Sequence, residues 1–333
     1  MFVKVSSMSN SPLLPFLNWL NQVSDLEFEK PQHIQTLWSG YGACFRAFSV
    51  QSHEPVVIKC VKPEQASSHP KGWKTSASHE RKLRSFEVEH YFYKHLQKHT
   101  DSQCRVPVYA GGCQEQDSHL IILEDLDAAG FNRRESVLST AQCEVVLIWL
   151  AEFHASFLGL KDEHVWEEGT YWHLNTRQDE WHAMEAGELK DKASAIANTL
   201  KNAKYQTLLH GDAKVANFCF TDDLSHCAAV DFQYTGYGVG VKDVAYFIGS
   251  ALSEQEQRDA TAHCLNVYFN ALQQALSRKH PSVDASKLIA EWRGLYNLAC
   301  ADFYRFLAGW SPDHWKLNRP LSDACQIALS SLL

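Results

Sequence analysis

Two short, mostly apolar and β-rich runs, Ala43 to Val50 and Pro55 to Val61, flank the polar Gln51-Ser52-His53. Such runs on either side of a polar turn predict a β-hairpin. A polar stretch from Gln65 to Ser78 follows and reads as a loop. From His79 to His99 the chain is charged, with Phe86, Tyr93 and Leu96 among its apolar positions, which predicts a helix. Two more strands are expected over Val106 to Ala110 and His119 to Leu123, parted by Gly111-Gly112. Ser139 to Gln142 fits a capping box, and Val146, Trp149, Leu150, Phe153 and Phe157 follow at helical spacing. After a polar, tryptophan-rich stretch (Trp166 to Lys204), a short strand-loop-strand region covers Thr207 to Asp231. The pattern from Val241 to Leu333 is almost all helical.

A strand-rich first part and a larger helical second part predict an α+β fold with a cleft between two lobes. The expected divisions are an N-terminal extension over 1–30, a small β-rich lobe over 31–125 and a larger, mainly helical lobe over 126–333. Composition agrees: 333 residues at 45% hydrophobic lie in the globular range and are long enough for about two domains. A net charge of −8 argues against a nucleic acid as main partner, because that role needs a basic stripe. It leaves room for a local cationic pocket around a small anion. The ten cysteines sit singly with no Cys-x-x-Cys pair, as expected of reduced thiols in a cytoplasmic protein. The apolar patch Pro12 to Leu17 is short and split by prolines, so neither a signal peptide nor a membrane partner is expected.

The chemistry concentrates in the strand-loop-strand region. There His210-Gly211-Asp212-Ala213-Lys214-Val215-Ala216-Asn217 is followed by Val230-Asp231-Phe232-Gln233. Phosphoryl transfer needs such a set: Asp212 to orient or deprotonate an acceptor hydroxyl, and the Asn217 amide oxygen with Asp231 to hold the magnesium that bridges phosphates. Hard oxygen ligands suit Mg²⁺, which needs few protein groups. Lys214 is placed to offset charge on a transferred phosphoryl group. Upstream, Ser39-Gly40-Tyr41-Gly42 precedes a strand, so its backbone is able to approach phosphate oxygens. Lys59 stands inside the apolar run Val57-Ile58-Lys59-Cys60-Val61, and a charge there must find a partner or a ligand. Glu89 on the following helix is a candidate partner, with Glu80 and Glu87 as rivals. Ile121 to Leu126 ends a strand in the acidic turn Glu124-Asp125-Leu126 before the helical part begins.

These residues resemble the kinase-like fold in its small-molecule branch: aminoglycoside and choline phosphotransferases and, above all, the ecdysteroid kinase-like family. The tokens are His210-Gly211-Asp212 with Asn217, Asp231-Phe232-Gln233, and Lys242-Asp243-Val244-Ala245-Tyr246-Phe247, and the likeness runs from about Ser39 to about Trp315. It implies a two-lobed protein-kinase-like fold and an ATP- and Mg²⁺-dependent transfer to a hydroxyl of a small molecule. Asp212 would be the base, Asn217 and Asp231 the metal ligands, and Lys59 with Glu89 the nucleotide ion pair. Gly40 and Gly42 would flank the phosphates, and the backbone at Glu124 and Leu126 would meet the adenine edge. Asp243 would brace the catalytic loop, and His210 would act as scaffold. The sequence departs from the pattern where Phe45 takes the place of a third loop glycine.

A non-catalytic kinase-like scaffold is the alternative, against which the intact Asp212, Asn217, Asp231 and Lys59 weigh. A protein kinase is a further one, opposed by Gly211, Gln233 and the missing Ala-Pro-Glu segment. His95 and His99 share a metal-ligand spacing but lack the zincin glutamate, so they read as a solvated helix face. Gly236-Tyr237-Gly238-Val239-Gly240 reads as a mobile loop bordering the substrate. Trp166, Trp172, Trp181 and the aromatics from Phe303 to Trp310 are expected mostly in the core, with a minority lining a pocket.

Overall fold

The computed structural model describes residues 12–37, 40–63 and 76–332. The chain forms two compact units, Met1–Lys94 with Pro107–Ala129 and His95–Val106 with Gly130–Leu333.

The first unit is built on a five-stranded antiparallel sheet of order β1-β2-β3-β5-β4, preceded by α1 (Leu14–Val23). Pro15 sits in the first turn of α1, where a missing N–H costs nothing. The helix buries Phe16, Leu17, Trp19 and Leu20 in one cluster with Phe28, Phe45, Ile58 and Leu120. Part of the stretch set apart as an extension is therefore core, while residues 1–11 lie outside the described residues. β1 (Phe28–Thr36) escapes the pattern of apolar alternation because only Phe28 of it is buried. It is an edge strand, which is also why it tolerates Pro31. β2 (Gly42–Ser49) and β3 (Pro55–Val61) form the expected hairpin, Phe45 facing Ile58.

The loop expected over Gln65 to Ser78 lies outside the described residues as far as 75. Ser78 itself belongs to α2 (Ser76–Tyr91), which continues through a π-helical turn at Phe92–Leu96 and a 3-10 turn at Gln97–His99. β4 (Tyr109–Glu115) and β5 (Ser118–Glu124) pair antiparallel, and Gly111-Gly112 lie inside β4 instead of parting the strands. A Cβ on Gly112 would stand 2.2 Å from the Leu120 carbonyl oxygen, so Gly112 lets β4 pass close to β5.

In the second unit, α3 (Thr140–Ser156) starts at the expected capping box. Ser139 Oγ accepts from the Gln142 amide at 3.3 Å, and Gln142 Oε1 from the Ser139 amide at 2.8 Å. The tryptophan-rich stretch holds α4 (Gln178–Ala183) and α5 (Glu188–Lys201). Four three-residue strands follow: β6 (Thr207–Leu209), β7 (Phe218–Phe220), β8 (Cys227–Ala229) and β9 (Gly236–Gly238). β7 pairs with β8 and β6 with β9.

The expected mobile loop at Gly236 to Gly240 is thus a paired, buried strand. Its glycines serve packing: a Cβ on Gly236 would meet the Trp166 carbonyl oxygen at 2.4 Å, and one on Gly240 the Tyr268 hydroxyl at 2.4 Å. The rest is helical as read: α6 (Val241–Ala251), α7 (Glu254–Lys279), α8 (Ala285–Trp310) and α9 (Arg319–Ser331). No disulfide joins any of the ten cysteines. No helix of the described residues is long and apolar enough to cross a membrane.

Candidate active site

The loop from β6 to β7 carries His210 to Asn217, and α6 fixes its start. Asp243, in the first turn of α6, accepts the His210 amide at 2.7 Å on Oδ2 and the Gly211 amide at 3.0 Å on Oδ1. His154 Nε2 lies 3.1 Å from the same Oδ2, and its Nδ1 lies 2.8 Å from the Tyr268 hydroxyl. His210 is fully buried; its Nδ1 accepts from the Asp212 amide at 3.3 Å, so Nε2 carries the proton toward the Val230 carbonyl oxygen at 3.0 Å. Burial pulls its pKa down, which keeps the ring neutral and structural. Gly211 has φ +82°, and a Cβ there would lie 2.0 Å from the Tyr234 carbonyl oxygen. No side chain fits at that point.

Asp212 is buried, and its two carboxylate oxygens differ. Oδ2 accepts from Lys214 Nζ at 3.0 Å and from Asn217 Nδ2 at 3.1 Å. Oδ1 is buried without a hydrogen-bond partner among the described residues. Burial pulls the Lys214 ammonium down, yet Asp212 and Asp231 outweigh it and hold the pKa above the ordinary lysine value. Asn217 Nδ2 also donates to the Asp212 carbonyl oxygen at 2.8 Å, which leaves Asn217 Oδ1 as the side chain's acceptor. Asp231 follows β8 with φ +72°, in the left-handed region that costs a non-glycine residue energy. Its charge acts on both His210 and Lys214, so it belongs to the same constellation.

Asn217 Oδ1 and the Asp231 carboxylate are hard oxygen donors of the kind Mg²⁺ takes beside substrate phosphates. No larger cluster of His, Cys, Asp or Glu able to hold a metal occurs among the described residues. Two such donors fit a cation carried largely by phosphate oxygens and water.

Tyr171 and Lys316, which the sequence did not single out, and Tyr246 of the Lys242–Phe247 token feel the charge of Asp212. The Tyr171 hydroxyl lies 3.3 Å from that of Tyr246, and burial, then the Asp212 charge, pushes both pKa values up. Lys316 Nζ lies 4.5 Å from the Tyr246 ring centroid. Beneath them Lys242 pairs with Asp302 at 3.1 Å, and Arg305 Nη2 donates to Asp302 at 2.9 Å and to the Trp172 carbonyl oxygen at 2.7 Å. The signal for that network is Asp302 and Arg305 at i, i+3 in the otherwise apolar stretch Leu298 to Trp310. Trp172 is fully buried with Tyr246 and Phe303, as core. A cavity of about 400 Å³ elsewhere in this unit, lined among others by Glu168, Tyr237 and Lys242, touches none of Asp212, Lys214, Asn217 and Asp231.

In the first unit Lys59 pairs with Glu89, at 2.8 Å to Oε1 and 2.6 Å to Oε2, and both side chains are buried. Glu87 pairs instead with Arg84 at 3.0 Å, and Glu80 is exposed, so the three-way alternative resolves on Glu89. Gly40 lies in the connection from β1 to β2 and Gly42 opens β2; Ser39 lies outside the described residues. Gly40 has φ +75° and gives its amide to the Leu37 carbonyl oxygen at 3.0 Å, so that amide is already committed. A Cβ on Gly42 would lie 1.9 Å from the Cys60 carbonyl oxygen, a packing reason for glycine. Phe45, at the place of the third glycine, is fully buried in the sheet core.

Glu124 ends β5 and is tied at both ends to Val108: its amide donates to the Val108 carbonyl oxygen at 2.9 Å, and its carboxylate accepts the Val108 amide at 3.0 Å. The buried Asp125 accepts from the Arg46 guanidinium and from the Asp127 amide at 3.0 Å, and Arg46 reaches Asp127 at 2.6 Å. This clamp, which sequence reading missed, leaves the Leu126 amide outside its network.

Comparison with solved structures gives the fold. An amicoumacin kinase solved in complex with AMP-PNP, Ca²⁺ and Ami aligns at TM-score 0.53 and 13% identity, over 95% of this chain and 92% of that one. An ethanolamine kinase of Plasmodium vivax aligns at TM-score 0.53 and 13% identity, over 96% of this chain and 88% of that one. The small antiparallel-sheet unit and the helical unit are those of a kinase-like fold. No curated protein matches in sequence. The family model of the ecdysteroid kinase-like family matches residues 72–184 and 169–280, a span that takes in α2, the constellation and Asp243. With more than half of its length matched, the chain belongs to the ecdysteroid kinase-like family.

Proposed function

We infer that the protein transfers the γ-phosphoryl group of ATP to a hydroxyl of a small molecule, with Asp212 taking the hydroxyl proton. The asymmetry of Asp212 carries this reading. Lys214 and Asn217 anchor Oδ2, while Oδ1 is buried without a hydrogen bond among the described residues. A base needs one oxygen held and the other turned to the proton it accepts. Lys214 is also placed to offset charge on the transferred group. Asn217 Oδ1 and Asp231 would hold Mg²⁺, which when bound draws charge from the phosphate oxygens. The Lys59–Glu89 pair supplies a fixed cation for nucleotide phosphates, and the backbone at Glu124 and Leu126 supplies polar groups for an adenine edge. Ten cysteines without a disulfide suit a cytoplasmic setting.

The test is Asp212→Asn, which keeps the shape and most of the hydrogen bonds. ATP consumption with any accepted hydroxyl compound is expected to fall by about 10²–10⁴-fold. The rise in melting temperature with Mg·ATP should persist, because nucleotide binding does not need the base. Undiminished turnover would overturn the role of Asp212. No thermal shift of the wild type at millimolar Mg·ATP would favour a non-catalytic kinase-like protein.

A further inference from the structure

Lys316 lies in the turn between α8 and α9, in none of the motifs that mark the site. Its ammonium stands 4.5 Å from the ring centroid of Tyr246, 5.4 Å from Trp315 and 5.9 Å from Phe303. Tyr246 is also the ring whose hydroxyl feels the Asp212 carboxylate, and Lys316 itself senses Asp212 and Lys214. Among the described residues the ammonium makes no ion pair and no hydrogen bond. Only the backbone amide of Lys316 is engaged, donating to His314 Nδ1 at 3.1 Å. The one carboxylate whose charge it senses, Asp212, has its Oδ2 taken by Lys214 and Asn217.

Two physical consequences follow. Aromatic faces of this kind attract ammonium groups, and here the protein's own lysine fills the place that a cationic ligand would take. A half-buried cation without an acidic partner is also costly, and a ligand that brings the missing negative charge recovers that cost. The surroundings suit a flat body. Phe306 stacks on Trp310 at 5.6 Å, His314 stacks on Trp315 at 5.8 Å, and Trp315 is 65% exposed.

We propose that Lys316 determines the class of acceptor: it binds an oxyanion, such as a carboxylate, carried by the acceptor alcohol, and it repels alcohols that carry an ammonium group. This rests on the reading of the Asp212 surroundings as the acceptor site. It separates this chain's acceptors from simple amino alcohols by the sign of one charge.

Three matched probes test it on the full chain: 4-(hydroxymethyl)benzoate, 4-methylbenzyl alcohol and 4-(aminomethyl)benzyl alcohol, with binding followed by calorimetry. The wild type is expected to bind the benzoate at least about tenfold tighter than the amine, with the neutral alcohol between them. Lys316→Met should shrink that ratio to within about twofold or reverse it, and Lys316→Arg should keep it. The Mg·ATP thermal shift should be the same in all three proteins. The proposal is overturned if the wild type does not prefer the benzoate, if the preference survives Lys316→Met, or if the benzoate shows no binding by about 10 mM. Loss of the Mg·ATP shift in Lys316→Met would place the lysine on nucleotide phosphates and overturn it as well. Because these readouts are binding alone, they fail separately from the turnover of Asp212→Asn.

Discussion

Two lysines, one in each unit, meet the loss of water differently: Lys59 has a carboxylate beside it, and Lys316 has none among the described residues. Lys59 sits in β3, a strand hydrogen-bonded to β2 on one side and β5 on the other, and Glu89 from α2 meets its ammonium with both oxygens. Lys316 sits in a turn, over the ring of Tyr246, with no acidic partner among the described residues. The first charge is balanced within the protein, so its site is complete before any ligand arrives. The second is left for a ligand to balance. The contrast separates a cation whose geometry is fixed by the fold from one whose task is to discriminate between ligands.

The comparison breaks most visibly at Glu89. Replacing it with leucine removes one member of a buried pair and leaves Lys59 uncompensated. A loss of about 3–5 kcal/mol is expected, read as a lower denaturant midpoint at unchanged slope. The double variant Lys59→Met/Glu89→Leu should recover much of that loss, since two apolar side chains of similar volume avoid the stranded charge. A single Glu89→Leu variant as stable as the wild type would show that Lys59 finds water, and the contrast with Lys316 would vanish.

The same contrast explains what was legible in the sequence. Lys59 announces itself because Val57, Ile58, Cys60 and Val61 surround it, and a charge in such a run requires a partner. The spacing of Asp212, Asn217 and Asp231 is likewise local, and the loop brings all three together with Lys214. Lys316 follows Ser311, Pro312, Asp313, His314 and Trp315, and nothing in that turn forecasts that aromatic rings from α6 and α8 enclose its ammonium. β1 was silent for a related reason: an edge strand with a single buried residue shows no alternation. The Gly236 to Gly240 string misled because glycine marks loops by default. Here it marks the close approach of Trp166 and Tyr268, which only tertiary packing reveals.

A smaller effect, with a definite sign, is expected at Lys316. Loss of water at the ammonium pulls its pKa down to about 8, against the opposing pull of Asp212. Below that pH the lysine is protonated in both the folded and the unfolded chain, and the folded state bears the whole cost of the buried charge. As pH rises from about 8 toward the unfolded value near 10.5, the folded protein releases its proton first and the cost fades. Lys316→Met should therefore be more stable than the wild type at pH 7, by about 1–2 kcal/mol after allowance for the lost cation–π contact. That advantage should shrink steadily in melts taken between pH 8 and pH 10. A destabilised Lys316→Met at pH 7 would mean that a protein group does pair with the ammonium.

The smallest effect sharpens the comparison by supplying its zero. Lys201 pairs with Glu167 at 2.8 Å, a distance as short as that from Lys59 to Glu89 Oε1, but its side chain is 38% exposed and that of Glu167 is 79% exposed. Water and salt screen such a pair, and ordering two long side chains offsets most of its attraction. Lys201→Ala should change stability by less than about 0.5 kcal/mol, and added salt should erase even that. If Lys201→Ala costs as much as Glu89→Leu, distance rather than burial sets the worth of these pairs. The partnered and unpartnered lysines would then differ for a reason other than their withdrawal from water.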